Sequence, residues 1–303
     1  MSRTDLLLRA ERLRSERTPF VLATVVRAER PTSAKAGDSA LVTADGTVDG
    51  FVGGTCAEST VRLQGLRLLQ TGQSTLLRIT PSLTASPPDR DGDGLVTVEN
   101  PCLSGGSLEI FLEAMIPPLL VYVFGDAPVA RALSTLGAAL GYEVIATTDP
   151  ELPIPPDSGA VVVASHGRDE ERSIAEAVRA GVPYIALVAS RRRGAAVLDG
   201  LDLAPPDRER VHTPAGLDLG ARTAPEVALS IFAEIVATRP RTVAPLSNTA
   251  VPSVETALDP VCGMTVAVTD SALRYEHAGQ VWYFCGSGCR TAFADAPDRY
   301  ATA

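Results

Sequence analysis

An unbroken apolar run from Leu119 to Phe124 stops at Gly125, and a different spacing takes over. Val129, Ala130, Leu133, Leu136, Ala139 and Leu140 recur three and four positions apart, which predicts a buried strand followed by an amphipathic helix. Gly141 ends that helix, and Val144 to Thr147 reads as a second buried strand leading to Asp149. Strand, glycine turn, helix, strand and terminal acid are the opening of a dinucleotide-binding unit. The free N–H groups at the helix start suit a phosphate, and the acid suits ribose hydroxyls. The fingerprint G-x-G-x-x-G/A is met here by Gly125, Ala127 and Ala130. The alanine at the second position puts a methyl where the backbone normally approaches a pyrophosphate.

The same reading extends outward. Leu6, Leu7, Leu8 and Leu13 among charges predict an N-terminal helix that Pro19 ends. Strands are expected at Phe20–Arg27, and at Ser39–Thr43 and Thr47–Val52 around the turn Ala44-Asp45-Gly46. Gly53-Gly54-Thr55-Cys56 precedes a helix from about Glu58 to Thr71, with Val61, Leu63, Leu66, Leu68 and Leu69 inward. A strand at Leu76–Ile79, a charged Pro/Gly loop at Ser82–Gly94 and a second glycine-cysteine turn at Asn100–Gly106 follow. A strand at Ser107–Glu113 then leads to the Pro117-Pro118 boundary. Beyond the central unit, Ala160–Ala164, Tyr184–Val188 and Arg210–His212 alternate with helical stretches, closed by a helix at Ala224–Ala237. That alternation predicts a parallel sheet covered on both faces. The fold class is therefore α/β: an N-terminal α+β domain (1–116), a Rossmann-like doubly wound sheet (117–240), a proline-bearing linker (241–258) and a small cysteine-bearing module (259–303).

At 303 residues and 45% apolar composition, two or three domains with a sizeable core are expected. The net charge of -9 argues against a nucleic-acid partner. No apolar run reaches membrane-spanning length, and the charged N-terminus is unlike a signal peptide, so a cytoplasmic location is expected. Five cysteines in that setting read as free thiols, metal ligands or reactive groups rather than a disulfide framework.

Those cysteines carry the candidate chemistry. Cys262 on a turn, with Cys285 and Cys289 four apart, could converge on a soft metal such as Cu(I) or Zn, with Met264 and His277 as further donors. The competing reading is that they pack a small core. Cys56 and Cys102 each lie beside paired glycines, Gly53-Gly54 and Gly105-Gly106. A thiol near a helix start is a better nucleophile or soft ligand, although Glu58 in the same turn counters this. The bland alternative is two buried structural thiols. His166 follows a strand at the carboxyl edge, where α/β ligands bind, and Arg191, Arg192 and Arg193 follow the next strand there. Guanidinium groups suit phosphate, while the plain readings are a structural histidine and a solvated charge run.

DPVCGM, YFC, the C-x3-C spacing, Phe293, and Pro297 with Tyr300 resemble the YHS domain from Asp259 to about Tyr300, which implies a heavy-metal-associated fold. GFVGGTCAE, NPCLSGGSLEIFLE, VYVFGDAPVARAL, VASHGRDEE, YIALVASRRRGAAVL and PAGLDLGARTAPEVALSIFAEIVA together resemble the XdhC/CoxI family from about Phe20 to Ala237. The departures are Ala127, where a glycine is common, and Thr55, where members often run glycines into the cysteine.

The resemblance implies an accessory chaperone that binds molybdenum cofactor, a molybdopterin dinucleotide, between the first two domains. It would assist sulfuration and insertion into a molybdenum hydroxylase of the xanthine dehydrogenase or carbon monoxide dehydrogenase type. A cysteine desulfurase would supply sulfur, and self-association as a homodimer is implied. On that reading Cys56 and then Cys102 face the molybdenum, and Gly53, Gly54, Gly125, Ala127, Ala130, Asp149, His166 and Arg191 hold the cofactor. Cys262, Cys285 and Cys289 would carry a metal, such as copper for a molybdenum–copper hydroxylase, or the module would only dock. Binding and handover rank ahead of stand-alone catalysis. The rivals are a nicotinamide-dependent oxidoreductase, which the Rossmann pattern favours, and a metal or redox sensor built on the cysteines.

Overall fold

The computed structural model describes residues 2–81, 94–100, 106–238 and 254–301. They fall into two compact units, Met1–Pro117 with Val251–Ala303, and Pro118–Ala250.

In the first unit, α1 (Arg3–Ser15) starts at a reciprocal cap between Ser2 and Asp5. Next come β1 (Phe20–Glu29), β2 (Ser39–Thr43), β3 (Val48–Gly50), α2 (Thr55–Thr71), β4 (Thr75–Thr80), β5 (Leu95–Glu99) and β6 (Ser107–Met115). The six strands form one sheet in the order β3-β2-β1-β6-β4-β5. Its pairs are antiparallel except β4 with β5. Alternation along β1 sorts its side chains: Val21, Ala23 and Val25 enter the core under α2, whereas Phe20 packs with Leu6, Ala10 and Leu41 under α1. β5 was not among the expected strands. All but the last of its residues are half-buried, so it lacks the alternation that marks a strand in sequence.

The second unit comprises β7 (Leu120–Phe124), α3 (Pro128–Ala139), β8 (Glu143–Thr147), β9 (Ser158–Val163), α4 (Glu170–Arg179), β10 (Tyr184–Leu187), α5 (Arg191–Asp199), α6 (Pro205–Glu209), β11 (Val211–His212) and α7 (Ala224–Thr238). Its five strands are all parallel, in the order β11-β10-β9-β7-β8. β7 to β10 are apolar without a break, or nearly so, because helices cover both faces. Ala130, Leu133, Ile231 and Phe232 of α3 and α7 fill one face. Ile174, Ala177, Val197 and Leu198 of α4 and α5 fill the other. On α7 the buried stripe is Ala228, Ile231, Phe232 and Ile235, leaving Leu229 and Val236 exposed. This is the α/β, doubly wound architecture expected from the alternation, and chain direction across the sheet reverses between β7 and β9.

The C-terminal residues belong to the first unit. β12 (Thr256–Leu258) and β13 (Thr265–Ala267) form one antiparallel pair, β14 (Leu273–His277) and β15 (Gln280–Phe284) another, followed by α8 (Ser287–Asp295) and α9 (Pro297–Tyr300). Phe293 is fully buried among Tyr275, Trp282, Phe284 and Tyr300. β12 occupies residues expected to belong to the linker. β13 lies on α2, and Ala267 joins the core beneath it. α2 is accordingly buried on more than its sheet-facing stripe, with Ala57, Thr60 and Gln64 also covered. A module read as separate in sequence is thus packed on the N-terminal segment.

Candidate functional site

The first constellation is a cluster of thiols in the first unit. Asp259 is fully buried at the end of β12. Its Oδ1 accepts from the Val261 N–H at 2.9 Å and its Oδ2 from the Cys285 N–H at 2.8 Å. Its own N–H donates to the Met264 carbonyl, and its carbonyl accepts from the Gly263 N–H, each at 2.8 Å. Gly263 takes φ +75°, the left-handed turn that glycine permits. These bonds fold the DPVCGM segment tightly and set Cys262 against the end of β15. The Sγ atoms of Cys262 and Cys285 are 3.6 Å apart, and those of Cys285 and Cys289 are 3.7 Å apart. Cys289 sits in the first turn of α8, whose N-cap, Gly286, offers no side-chain acceptor. With an oxygen of Asp259, the three sulfurs lie within 4.8 Å of one another. Both Asp259 oxygens already accept backbone hydrogens, so Asp259 holds the loop in place for the thiols.

A fourth thiol enters from the other segment. α2 begins at Thr55, three residues before the expected start, so Cys56 lies in its first turn. Gly53 launches this turn at φ +133°, where a Cβ would press on Ala57 and the Leu108 methyl at 3.1 and 3.2 Å. Gly54 is the N-cap, and Glu58 is paired with Arg62 at 2.8 Å, which offsets the charge it adds to the turn. Cys56 packs against the buried cluster of Met264, Val266 and Cys285, on which Cys262 and Cys289 also pack. Its thiol, like that of Cys262, pushes the Cys285 pKa upward. Donation from Cys285 lowers the Cys262 pKa, and the same bond pushes Cys285 up. Burial pushes Cys289 to about 12. A groove of about 440 Å³ borders the cluster, lined by Thr60, Gln64, Arg67, Glu99, Cys262 and Met264 among others.

The second constellation is the carboxyl edge of the parallel sheet. Gly125 has φ +129°, and a Cβ there would meet the Ala164 carbonyl oxygen at 2.3 Å. Its N–H donates to the Thr147 carbonyl at 2.7 Å, so packing of adjacent strands already requires this glycine. Ala127 is the N-cap of α3, with no side-chain cap, and Pro128 stands at the first helical position. Ala130 is buried in the core. Opposite, the turn after β9 carries His166 (φ +54°), Gly167 (φ +94°) and Asp169 (φ +47°). Buried Glu170 fixes it: one carboxylate oxygen accepts from the Gly167 N–H at 2.7 Å, the other pairs with Arg193 at 2.5 Å. Asp126 and Arg168 join the two turns at 2.5 Å. An uncapped helix start thus faces the chain-direction switch of a parallel sheet, the place where such sheets hold anionic ligands.

Residues 13–80 match the XdhC and CoxI family, residues 121–235 the XdhC Rossmann domain, and residues 257–303 the YHS domain. The chain belongs to the XdhC and CoxI family and carries a C-terminal YHS domain. Among curated relatives, an uncharacterized Escherichia coli (strain K12) protein, YqeB, is 27% identical over 262 residues, covering 77% of this chain and 46% of YqeB. Over 45 residues the chain is 47% identical to a copper-transporting P-type ATPase of Rhizobium leguminosarum bv. viciae, covering 15% of this chain and 5% of the ATPase. The chain thus spans less than half the length of either relative. A crystal structure titled as a xanthine dehydrogenase from Bacillus halodurans aligns at TM-score 0.37 and 17% identity, over 81% of this chain and 98% of that one, too slight a likeness to carry an argument.

The remaining expected residues of this XdhC and CoxI family protein separate as follows. Cys102 and Gly105 lie outside the described residues. His277 does not join the thiols: it meets Phe293 edge-on and sits 3.6 Å from Asp298, because it lies at the far end of β14 from Cys285. Arg191 is exposed and 3.8 Å from Asp218, whereas Arg193 is spent on Glu170. His166 is exposed at the switch. Asp149 is exposed and its Oδ1 accepts from the Glu151 N–H at 2.9 Å. The crevice beside it, against Tyr122 and Leu152, holds only about 10 Å³. Sequence reasoning missed Asp259 and Glu170, two buried carboxylates that hold the thiols and the switch turn. Only the adjacency of Asp259 to the cysteine turn gave any signal.

Proposed function

We propose that this chain is a maturation factor for a molybdenum hydroxylase, and that its Rossmann-type unit holds the dinucleotide end of molybdenum cofactor. The observation that carries this is the uncapped start of α3 at the β7/β9 switch, in a chain with both XdhC matches. The donor set fits a pyrophosphate: main-chain N–H groups of the first α3 turn without a side-chain acceptor, and exposed His166 and Arg191 on the neighbouring turns. Ala127 takes the place of a glycine, and a methyl at an N-cap leaves those N–H groups uncovered. Asp149 would take ribose hydroxyls. When bound, the cofactor supplies a dithiolene-held molybdenum. The chain's part is to bind it, orient it and hand it to the partner enzyme. Sulfur would come from a cysteine desulfurase, and a homodimer is the assembly proposed.

We also propose that the YHS domain carries a soft metal ion, copper among the candidates. The three clustered thiols and the identity with part of a copper-transporting ATPase support this.

The test is cargo analysis. The protein is expressed in cells that make molybdenum cofactor and purified without oxygen. Released pterin is read by fluorescence and metals by mass spectrometry. Pterin with molybdenum, depleted in Asp149→Ala at an exposed position, is expected. Bound nicotinamide nucleotide with NADH turnover, and no pterin, would favour the oxidoreductase instead.

A further inference from the structure

The geometry points to a metal site that neither domain completes alone: Cys56 of the GGTC turn joins Cys262, Cys285 and Cys289 as the fourth thiolate of one tetrahedral Zn(II)-type centre. The inference rests on the soft-metal reading of the YHS thiols and not on the molybdenum reading.

Spacing is the first argument. Four sulfurs around zinc at about 2.3 Å sit about 3.8 Å from one another. The Cys262–Cys285 and Cys285–Cys289 separations of 3.6 and 3.7 Å already approach that value. The second argument is elimination. Asp259 is the charged donor grouped with the three thiols, but both its oxygens accept backbone hydrogens at 2.9 and 2.8 Å. Using it as a ligand would strand those N–H groups, at a cost of roughly 1–3 kcal/mol each. The further thiol packed on the buried cluster that holds Cys285 and Met264 is Cys56. Contact between the segments at this point is close, since a Cβ on Gly286 would meet the Thr55 Oγ1 at 2.7 Å. The third argument is charge. Four thiolates around a divalent ion leave a net negative centre. The first turns of α2 and α8, which carry Cys56 and Cys289, both present their positive ends to it.

Binding releases the thiol protons to solvent, and no electron is transferred. One ion ties the start of α2 to the YHS domain and withdraws Cys56 from other chemistry. The bordering groove gives the ion its way in.

The test uses the full chain, freshly reduced, as wild type, Cys56→Ser and Cys285→Ser. Zn(II) affinity is measured by competition with a chromophoric chelator, and Co(II) serves as the spectroscopic stand-in. We expect one Zn(II) per chain at this site, intense tetrahedral thiolate–Co(II) bands, and loss of both in Cys285→Ser. Cys56→Ser should bind at least about tenfold more weakly, with reduced thiolate-to-cobalt absorption. Wild-type protein supplies a reading that needs no substitution: Zn(II) should slow iodoacetamide alkylation of Cys56, followed by peptide mass mapping, by at least about tenfold. Wild-type affinity and spectrum in Cys56→Ser, or Cys56 alkylation unchanged by Zn(II), would overturn the inference. So would a wild-type chain that binds no Zn(II).

Discussion

At the scale of single residues, Ala127 separates a ligand role from a structural one. It caps α3 without a side-chain acceptor, leaving main-chain donors of the first turn unpaired by any cap. Ala127→Asp would supply that acceptor and stabilise the helix by about 1 kcal/mol. The same carboxylate would occupy and repel the place proposed for a pyrophosphate. The expected outcome is an unchanged or raised denaturation midpoint together with loss of copurified pterin. Retained pterin would remove α3 from the site. Glu234 is the opposite case. Its carboxylate accepts from the Tyr184 hydroxyl at 2.6 Å and the Gly216 N–H at 2.8 Å, and contacts His212 Nδ1 at 3.2 Å. Burial, then this hydrogen bond, pushes the Tyr184 pKa upward, so the phenol remains a donor. Glu234→Ala should cost roughly 2–3 kcal/mol in guanidinium unfolding, because a buried donor, Tyr184, and a half-buried one, Gly216, lose their partner. A loss below about 0.5 kcal/mol would show that water replaces the carboxylate.

At the scale of elements, the β2–β3 turn is where the YHS domain meets the sheet. Arg62 Nε donates to the Gly46 carbonyl at 2.8 Å, and Ser271 Oγ reaches the same oxygen at 3.4 Å. Gly46 has φ +81°, and a Cβ there would strike Thr269 at 2.7 Å. Gly46→Val should therefore strain the turn and weaken Zn(II) binding some distance from any thiol; unchanged affinity would show that the turn does not position the domain. The turn is also sensitive to acid. The Thr43 hydroxyl at 2.6 Å is the chief cause holding the Asp45 carboxyl below its usual 3.8. A depressed carboxyl pKa contributes stability above the unfolded value, and that contribution is lost as pH falls through the folded one. Hydrogen exchange at Thr47 should accelerate on acidification below about pH 4, once the exchange chemistry itself is corrected for.

Much of this architecture was legible, and the reason differs by element. β7 to β10 are continuous or nearly continuous apolar runs, so both their burial and their parallel pairing follow from the pattern. β5 escaped because its residues are half-buried and alternate with nothing. The three YHS thiols were legible from spacing, because a turn and one helical turn bring them together locally. Cys56 was read as a molybdenum-facing thiol, and its packing on the YHS cluster was not legible. Its neighbours come from the far end of the chain, and no periodicity records a contact of that separation. Glu170 was unreadable, and Asp259 was marked only by its place beside the cysteine turn, for a related reason: a carboxylate in sequence looks like surface until its backbone donors are placed.

For the whole molecule, the consequential fact is that the two ends of the chain share one compact unit while the Rossmann domain forms the other. Stability should then be divisible. Zinc at a hundred times its dissociation constant adds about 2.7 kcal/mol to whatever folds with the site. That gain belongs to the first unit, including α1 and its sheet, and not to the second. Glu234→Ala acts on the second alone. Calorimetry of the full chain should show two transitions, one raised by Zn(II) and returned by a chelator, the other lowered by Glu234→Ala. In Cys56→Ser the zinc-dependent shift should shrink while the second transition stays where it was. A single transition moved by both changes would mean that the units unfold together. A zinc shift undiminished in Cys56→Ser would mean that the ion is held by the YHS domain alone, and that the GGTC turn is packed beside it without binding.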